Sequence, residues 1–553
     1  MGEQGGAPVF GLMQDWPLTV DKFIEHARHW HGAREVVSRH ADGGVHRDTY
    51  ATLYDRAKQL SDALLAHGIG QGDRVATLAM NGIEHMASWY AISGIGAVCH
   101  TLNPRLFDEQ LIYIVNHAQD RLILADSCFG PILERILPRC PAVEKVIYLT
   151  SYAPPVELPV AVEPLDSFTA NYAGACEWGA FDERLAAGLC YTSGTTGNPK
   201  GVLYSHRSNF LHALATVQPD VMNLSATDTL LMVVPMFHAN AWGLTFAAPA
   251  MGSKLVLPGI RLDGASIHRL IVDEGVTVAA GVPTVWNGLL DYLDAEGLEI
   301  GPLKRVITGG SAVPERLLRR FHTRGVDVLH AWGMTEMSPL GTINFPTPEI
   351  ARLPEEEQLK HRLKQGRPTF MVEMRLADDS GVSLPHDGKT AGRLQVRGPA
   401  VTRAYIGDDR SALDGEGWFD TGDIATICPL GYMQITDRAK DIIKSGGEWI
   451  SSIEIESLVS MHPKVSLAAA IGVAHPKWEE RPILFLKLKT GEQATEDEII
   501  AFLTGRMAKW WLPDAVYFIE DMPLGGTGKI DKKILRDRAR TIHASPSAAA
   551  RPA

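Results

Sequence analysis

The sequence predicts an α/β protein with one large domain of layered, mostly parallel sheets and a smaller α+β domain at the carboxyl end. Three observations support this fold class. The chain has 553 residues, more than a single hydrophobic core usually serves. Helical and strand patterns alternate up to about Ala331, which is typical of parallel sheets covered by helices. From about Gly392 the pattern changes to short strands with alternating apolar residues.

The alternating region contains helix and strand patterns of ordinary length. Apolar residues recur at helical spacing from Tyr50 to His67 and stop at Gly68, which predicts a helix. A buried strand over 73–80 and a helix over 82–95 follow. Further strands are predicted over 121–125, 145–149, 229–235, 276–280, 305–308 and 326–331, with helices over 283–296 and 314–324.

The carboxyl-terminal part has a different character. Residues 392–398 and 431–436 predict short antiparallel strands. Ser451 and Glu454 form a capping-box pattern that opens a helix to about Met461. Two strands near 466–472 and 483–489 precede a helix over 496–507. We place the domain boundary near Arg438, which gives an amino-terminal domain of residues 1–437 and a carboxyl-terminal domain of residues 438–553.

Composition and charge exclude several classes of protein. The net charge is −12 and no basic tract occurs, which argues against nucleic acid as a partner. We expect neither a signal peptide nor a membrane-spanning helix, and leave peripheral membrane contact open. The six cysteines are scattered without a C-x-x-C pair, which argues against a disulfide framework or a zinc site. A reducing cytoplasm is the expected compartment.

The most informative segment is the run Tyr191–Val202, YTSGTTGNPKGV, directly after an apolar stretch. Glycines let backbone N–H groups approach a ligand closely, hydroxyls add donors, and Lys200 adds a cation, which together suit a polyphosphate. The run lacks the Walker pattern. In α/β folds ligands bind beyond the carboxyl ends of strands, where this loop lies.

Further motifs accompany this loop, and the whole set resembles one family. They are 235–243 (PMFHANAWG), 308–314 (TGGSAVP), 331–339 (AWGMTEMSP), 417–423 (GWFDTGD), 437–451 (DRAKDIIKSGGEWIS) and 525–529 (GGTGK). From about residue 15 to residue 540 the chain resembles the adenylate-forming superfamily, most closely bacterial medium- and long-chain fatty acyl-CoA synthetases. The resemblance implies ATP and Mg²⁺ as cofactors, coenzyme A as co-substrate, and a homodimer.

The resemblance assigns phosphate and metal contacts to two segments. The loop residues Thr192, Ser193, Gly194, Thr195, Thr196, Gly197 and Lys200 would hold the phosphates of ATP. Thr335 and Glu336 match the phosphate-contacting hydroxyl and the magnesium ligand, and Thr192 would assist with the metal. The adenine would lie against Gly309, Gly310, Ser311, Ala312, His330, Ala331, Trp332, Gly333 and Met334.

Relatives usually carry a Gly-Tyr or similar pair where this chain has Ala331 and Trp332. The indole of Trp332 still offers a flat face on which adenine can stack, and a core tryptophan is the alternative. Asp423 matches the residue that binds both ribose hydroxyls. Arg438 matches a ribose-contacting arginine, and a salt bridge at the domain linker is the alternative. Lys444 and Trp449 are further candidates for nucleotide contact, with plain surface positions as the alternative.

The second half of the implied reaction depends on the carboxyl-terminal domain, which the resemblance makes a mobile lid. Lys529 matches the lysine that bridges the acyl carboxylate and the α-phosphate during adenylation. Lys440 matches the residue at the family's hinge position and is also a candidate for contact with the nucleotide. After rotation, Ser445, Gly446 and Gly447 would line the tunnel for the pantetheine arm of coenzyme A.

The segment around His238 would meet the acyl substrate. The resemblance implies that Trp242 closes the acyl tunnel until ATP binds, and that His238 lines its carboxylate end. A core tryptophan is the alternative for Trp242. Apolar lining is expected from Val233, Val234, Gly281, Val282, Pro283 and Trp286, which suits an alkyl or thioalkyl acid.

Four functions remain open at this stage. The first is an AMP-forming acid–CoA ligase for a medium- or long-chain fatty acid, or for a short substituted acid such as 3-methylthiopropanoate. The second is a stand-alone adenylation enzyme that loads a carrier protein, although no carrier domain follows Lys529. The third is a nucleotide-binding protein without chemistry, which the retained Thr335, Glu336, Asp423 and Lys529 oppose. The fourth is a luciferase-like oxygenase.

Overall fold

The computed structural model describes residues 10–150, 156–192, 198–438, 440–445, 448–524 and 530–544. Within these ranges the strands are β1 Glu35–Arg39, β2 Val45–Thr49, β3 Arg74–Leu78, β4 Val98–Thr101, β5 Leu122–Ala125, β6 Lys145–Tyr148, β7 Ala161–Pro164, β8 Ala186–Tyr191, β9 Gly201–Ser205, β10 Thr229–Met232, β11 Lys254–Leu257, β12 Val278–Gly281, β13 Arg305–Gly309, β14 Asp327–Gly333, β15 Leu340–Ile343, β16 Arg367–Pro368, β17 Glu373–Ala377, β18 Gly392–Arg397, β19 Phe419–Ile427, β20 Met433–Arg438, β21 Ile443–Ser445, β22 Glu448–Ile450, β23 Val465–His475, β24 Glu479–Leu488 and β25 Val516–Phe518.

The α-helices in the same ranges cover the sheets. They are α1 Asp21–His31, α2 Tyr50–Ala66, α3 Ile83–Gly94, α4 Asp108–Ala118, α5 Gly130–Ile136, α6 Leu165–Thr169, α7 His206–Thr216, α8 Ala239–Trp242, α9 Leu244–Met251, α10 Gly264–Glu274, α11 Pro283–Glu296, α12 Glu315–His322, α13 Pro348–Ala351, α14 Glu355–Arg362, α15 Ser452–Val459, α16 Glu496–Leu503 and α17 Lys532–Ala544.

Two large sheets form the amino-terminal part. One has the strand order β7-β6-β5-β3-β4-β8-β9 and is parallel except for the β8–β9 pair. The other has the order β16-β15-β14-β13-β12-β10-β11-β1-β2, with parallel pairing from β14 to β1. One apolar core includes residues of both, for example Val75 of β3 and Leu230 of β10. The layered, mostly parallel architecture is therefore confirmed.

Two smaller antiparallel sheets follow along the chain. Strands β17 to β20 form a four-stranded sheet in sequence order. Strands β21 to β25 form the last sheet, in which the long β23–β24 hairpin pairs over most of its length and β25 adds a parallel strand. The helices α15, α16 and α17 pack on this sheet, which confirms a separate small α+β unit.

Two predicted elements end earlier than the apolar pattern suggests. The helix expected to reach residue 507 ends at Leu503, because Thr504 is extended and Gly505 has φ +78°. The strand expected over 229–235 ends at Met232. The N–H groups of Val233 and Val234 both donate to the carbonyl of Ala280, so the regular ladder stops there. Local backbone geometry stops both elements although apolar residues continue.

Candidate active site

The base of the Thr- and Gly-rich loop is closed by hydrogen bonds between its two ends. The N–H of Thr192 donates to the carbonyl of Lys200 at 2.9 Å, and the N–H of Lys200 donates to Oγ1 of Thr192 at 3.3 Å. Both contacts continue the antiparallel β8–β9 pair. The predicted phosphate-binding residues Ser193, Gly194, Thr195, Thr196 and Gly197 lie outside the described residues.

Thr335 and Glu336 occupy a single helical turn directly after β14. Glu336 is buried, and its Oε1 accepts a hydrogen bond from the hydroxyl of Tyr405 at 2.9 Å. The N–H of Thr402 donates to the Glu336 carbonyl at 2.7 Å, and the Tyr204 hydroxyl donates to the carbonyl of Thr335 at 2.8 Å. The turn is thus held by β9 and by the connection between β18 and β19, and these contacts do not depend on a ligand.

Burial and two nearby cations act on the charge of Glu336. Burial raises the pKa of its carboxyl group, and the Tyr405 hydroxyl, Arg438 and Lys200 act in the opposite direction. The ammonium of Lys200 lies 4.7 Å from the centre of the Tyr405 ring. The fold therefore brings the loop cation and the candidate magnesium ligand to the same place, as the sequence predicts. A buried carboxylate oxygen is also a ligand that a hard divalent cation prefers.

Tyr405 is a site residue that the sequence analysis missed. Its hydroxyl donates to Glu336 and its ring lies beneath Lys200, so it links two predicted residues that are 136 positions apart. It belongs to none of the six motifs. It lies between β18 and β19, in the connection that leads to Asp423, and no local pattern marks it.

Asp423 forms the centre of the second half of the site. It is buried on β19; its Oδ1 lies 2.7 Å from Nε of Arg438 on β20, and its Oδ2 accepts a hydrogen bond from Nε1 of Trp332 at 3.1 Å. Asp423 and Arg438 are paired residues in the β19–β20 register. This arrangement fixes the carboxylate from two sides, which is what a rigid clamp for a sugar diol requires.

Trp332 lies in the apolar core, as the alternative to adenine stacking describes. The ring is 7% exposed and packs in a cluster with Met337, Leu376 and Val396. A Cβ on Gly341 would lie 2.6 Å from the indole, so that glycine leaves room for it. The role that the geometry gives Trp332 is to orient Asp423; stacking on adenine stays a prediction.

The predicted adenine turn follows β13 beside β14. Gly309 pairs with Ala331, and a Cβ on Gly309 would lie 2.4 Å from the Ala331 carbonyl, so only glycine fits there. Gly310 has φ +83°, and it is exposed together with Ser311 and Ala312.

His330, another predicted nucleotide-binding residue, has a buried ring. Its Nδ1 lies 3.1 Å from the Leu363 carbonyl, and burial lowers its pKa to about 4. The side chain of His330 is thus a core residue.

The junction to the carboxyl-terminal sheet is anchored at Asp437. This buried residue accepts hydrogen bonds from the N–H of Ser452 at 2.6 Å and from the N–H of Arg438 at 2.7 Å. Ser452 opens α15, and Lys532 of α17 donates to its hydroxyl at 2.7 Å. The chain between β20 and β21 includes Lys440, which is exposed, as is Lys444.

The other candidate residues of the lid are described only in part. Ser445 is buried and its hydroxyl lies 3.4 Å from Nη1 of Arg481. The backbone of Trp449 pairs with Lys444 across β21 and β22. Gly446, Gly447 and Lys529 lie outside the described residues, so their roles stay predictions.

The segment around the gate candidate has an unusual backbone. Ala239, Asn240, Ala241 and Trp242 all have positive φ, between 44° and 60°, and form a left-handed turn that ends at Gly243. Such a conformation costs roughly 1–2 kcal/mol per residue and concentrates at functional sites. Trp242 is buried in the main core, while half-buried His238 lines a small cavity with Asn103, Tyr191 and Phe237. Burial of Trp242 agrees with the core tryptophan given as the alternative, and the gating role stays a prediction.

The predicted apolar lining does not form one wall. Val234 packs in the same core cluster as Trp242, whereas Val233 and Trp286 belong to a second cluster. Trp286 is fully buried and donates its Nε1–H to the Gly281 carbonyl at 3.1 Å. Trp286 therefore packs in a different cluster from Trp242, and its place in the acyl tunnel stays a prediction. Successive residues of an extended segment point to opposite faces of a sheet, and the sequence does not say which face meets the substrate.

Comparisons with known proteins agree with this geometry. Residues 23–406 match the family model described as AMP-binding enzyme, and residues 454–529 match the one described as AMP-binding enzyme C-terminal domain. In the described residues, no helix combines the length and apolar character needed to cross a bilayer.

Several curated proteins are similar over nearly the whole chain. A medium-chain-fatty-acid–CoA ligase of Ectopseudomonas oleovorans is 47% identical over 96% of this chain and 97% of its own. A 3-methylmercaptopropionyl-CoA ligase of Ruegeria pomeroyi is 46% identical over 97% and 99%. A long-chain-fatty-acid–CoA ligase of Thermus thermophilus is 44% identical over 96% and 97%.

Solved structures show the same fold. An anthranilate CoA ligase in complex with anthranoyl-AMP matches with a TM-score of 0.84 at 24% identity, over 96% of this chain and all of that one. ATP-bound MatB from Rhodopseudomonas palustris matches with a TM-score of 0.79 at 25% identity, over 95% and 100%. The motifs, the geometry and these similarities agree, and the chain belongs to the family of AMP-binding enzymes, the adenylate-forming acyl-CoA synthetases.

Proposed function

We propose that this enzyme is an ATP-dependent, AMP-forming ligase that joins a medium- or long-chain fatty acid to coenzyme A. One observation carries the proposal: Lys200, Glu336, Asp423 and Arg438, from four separate segments, converge at one place in the fold. Relatives that act on medium- and long-chain fatty acids are 47% and 44% identical to this chain.

The first half-reaction forms an acyl adenylate. A carboxylate oxygen of the acid attacks the α-phosphorus of ATP, the bond from that phosphorus to the bridging oxygen breaks, and pyrophosphate leaves. Negative charge gathers on the phosphates, so fixed cations and N–H donors stabilise the transition state. Lys200 and the loop 192–197 bind the phosphates, Asp423 holds the ribose, and Arg438 fixes Asp423 through its 2.7 Å ion pair. Lys529 contacts the acyl carboxylate and the α-phosphate.

Magnesium fits the residues beside the phosphate loop. Glu336 offers a buried carboxylate oxygen and Thr192 a hydroxyl oxygen, which are the donors that Mg²⁺ takes in nucleotide sites. When bound, the ion would neutralise part of the phosphate charge. The Tyr405 hydroxyl holds Glu336 in a fixed orientation for this role.

The second half-reaction needs a different arrangement of the carboxyl-terminal domain, residues 438–553. The thiolate of coenzyme A attacks the acyl carbon of the adenylate, a thioester bond forms, and AMP leaves. Rotation at Lys440 withdraws Lys529 and brings Ser445, Gly446 and Gly447 to the pantetheine arm. Domain rotation about a few exposed residues belongs to the known repertoire of hinge motions. We also propose that the enzyme is a homodimer and that it is located in the cytoplasm.

A second candidate substrate is a short thioalkyl acid. The 3-methylmercaptopropionyl-CoA ligase of Ruegeria pomeroyi is 46% identical to this chain, which is as similar as the fatty-acid ligases. Both classes of acid need an apolar pocket next to a carboxylate site, so the motifs do not separate them.

The test is a panel of acids from C3 to C18, with aryl and thioalkyl acids included. Pyrophosphate release is measured with and without coenzyme A, and the thioester is identified by mass. We expect the highest kcat/KM for an acid of C8 or longer, with thioester only when coenzyme A is present. A maximum at 3-methylthiopropanoate supports the second candidate. Acyl-AMP that is never transferred to coenzyme A contradicts the ligase and favours a carrier-loading enzyme.

A further inference from the structure

Three side chains of types that bind metal ions converge far from the nucleotide site. His40 follows β1, His46 lies on β2, and Glu84 lies in the first turn of α3. One ligand atom from each lies within 4.8 Å of the other two. Four strands separate β1 from β14 in the nine-stranded sheet, so this cluster lies about 24 Å from the Thr335 turn at roughly 4.8 Å per strand.

The spacing of the atoms indicates a shared ion better than direct hydrogen bonds. Nε2 of His40 lies 3.9 Å and Nδ1 of His46 lies 3.7 Å from the same oxygen, Oε1 of Glu84. Both distances exceed the roughly 3.2 Å limit for an N–H···O bond. Bonds of about 2.0–2.2 Å in a tetrahedral zinc site place ligand atoms roughly 3.3–3.6 Å apart. The two histidine–Glu84 separations need to shrink by only a few tenths of an ångström, and all three ligand atoms lie within 4.8 Å of one another.

The charges around Glu84 also favour a bound cation. The side chain of Glu84 is 10% exposed, and in the described part of the chain its ion-pair partners are His40 and His46, with no lysine or arginine among them. A buried carboxylate without a full positive charge nearby is costly. A divalent cation between the three groups would supply that charge. The His46 side chain is 35% exposed, which gives such an ion a route from solvent and a position for water.

We infer that His40, His46 and Glu84 form a structural binding site for a divalent cation of the zinc class. Two imidazoles and one carboxylate match the ligand preference of Zn²⁺, whereas Mg²⁺ prefers oxygen ligands and retained water. The site joins the β1–β2 hairpin of the nine-stranded sheet to α3, which follows β3 of the seven-stranded sheet. The ion therefore cross-links the two large sheets. Cysteine spacing cannot reveal a site of this composition.

The site is tested by zinc binding to the full-length enzyme. Protein freed of metal by dialysis against a chelator is titrated with Zn²⁺ without ATP, Mg²⁺ or coenzyme A, and bound metal is measured by equilibrium dialysis. We expect one zinc per chain and a rise in the thermal midpoint of unfolding. His46→Gln and Glu84→Gln should each weaken zinc binding by about tenfold or more.

The matched control is His29→Gln, which removes an exposed histidine of α1 and should bind zinc as the wild type does. Should Glu84→Gln fail to fold, His46→Gln decides the result, because its side chain is partly exposed on an edge strand. Equal zinc affinity of the wild type and His46→Gln would overturn the proposal. Zinc binding without any rise in the thermal midpoint would overturn the structural role.

Discussion

At the scale of single residues, the ribose clamp depends on contacts that keep one carboxylate in place. Asp423 is buried between the Arg438 guanidinium and the Trp332 indole N–H, so its two oxygens have fixed directions before a nucleotide arrives. Preorganised charge of this kind costs no reorganisation when the ligand binds. Trp332, which the sequence analysis assigned to adenine, donates in this structure to Asp423, the candidate ribose ligand.

We expect Trp332→Phe to weaken ATP binding while most of the apolar packing is kept. The change removes the N–H donor to Asp423, and loss of a hydrogen bond to a charged group should raise the KM for ATP about tenfold. The value of kcat should change much less. Pyrophosphate-release kinetics with varied ATP measure both. Trp418→Phe is the matched control: this buried tryptophan lies in the same motif as Asp423 but stacks with Arg375 and Arg397. Equal effects of the two substitutions would contradict the orienting role.

At the scale of elements, the start of α15 is fastened to the end of β20 and to the start of α17. Asp437 accepts the N–H of Ser452, and Lys532 reaches both the Ser452 hydroxyl and Oε1 of Glu456, each at 2.7 Å. Lys529 precedes Lys532 by three positions in the sequence. This network therefore connects β20, which carries Arg438, with α17, which follows the candidate catalytic residue Lys529 in the sequence.

The stability of this junction should depend on pH through Asp437. Burial raises the pKa of its carboxyl group from 3.8 to about 6. Because the folded pKa is higher, the contribution of Asp437 is complete below pH 3.8 and is lost as the pH rises through about 6. Asp437→Asn keeps an acceptor for Ser452 but does not titrate. The free energy of unfolding of the wild type relative to this variant should fall by about 3 kcal/mol between pH 4 and pH 7.

Urea unfolding at several pH values measures this difference. Asp521→Asn is the control, because its side chain is 96% exposed, and its difference from the wild type should stay flat. A flat curve for Asp437→Asn as well would show that burial at the junction does not act on this carboxyl group.

Lys532→Met should destabilise the protein because it leaves Glu456 and Asp437 without their ammonium partner. Removal of one member of a buried ion pair costs about 3–5 kcal/mol, although the 14% exposure of Lys532 favours the lower end. The measurement is the free energy of unfolding in urea. The neighbouring Lys533→Met substitution is the control, since Lys533 is exposed and should change the stability by less than about 0.5 kcal/mol. Equal losses would contradict a specific role for Lys532.

At the scale of the whole molecule, the enzyme consists of two large sheets that share one core and a smaller unit joined to them by a short segment. The phosphate loop, the Thr335 turn and Asp423 all belong to the part before residue 438, whereas Lys529 belongs to the part after it. In the proposed mechanism, Lys529 and the coenzyme A thiol act at the same acyl group in different steps. We therefore expect the two half-reactions to respond differently to changes in the small unit.

Lys529→Ala should slow adenylation by roughly 100-fold or more, because the cation that is proposed to stabilise the forming bond is lost. Thioester formation from supplied acyl-AMP should be nearly unchanged. The two half-reactions are measured separately, by pyrophosphate release and by thioester yield, with Lys533→Ala as the control. Equal slowing of both half-reactions would contradict the assignment of Lys529 to the first step.

The amino-acid sequence alone determined the fold class, the approximate positions of the helices and strands that it predicted, and the order of the family motifs. Those features depend on local periodicity and on short strings such as 191–202 and 331–339, which need no knowledge of the rest of the chain. The same strings predicted that Lys200, Glu336, Asp423 and Arg438 serve one site, and the structure brings these four together.

Only the tertiary structure decided which partners those residues meet. Trp332 and Asp423 are 91 positions apart, and Tyr405 and Glu336 are 69 apart, so their hydrogen bonds depend on strand register and packing between distant segments. Tertiary packing also decided the cluster in which Trp286 lies and the left-handed turn at Ala239–Trp242. It likewise brought His40, His46 and Glu84 together. Each depends on long-range packing, which selects one arrangement among several that the local sequence permits equally well.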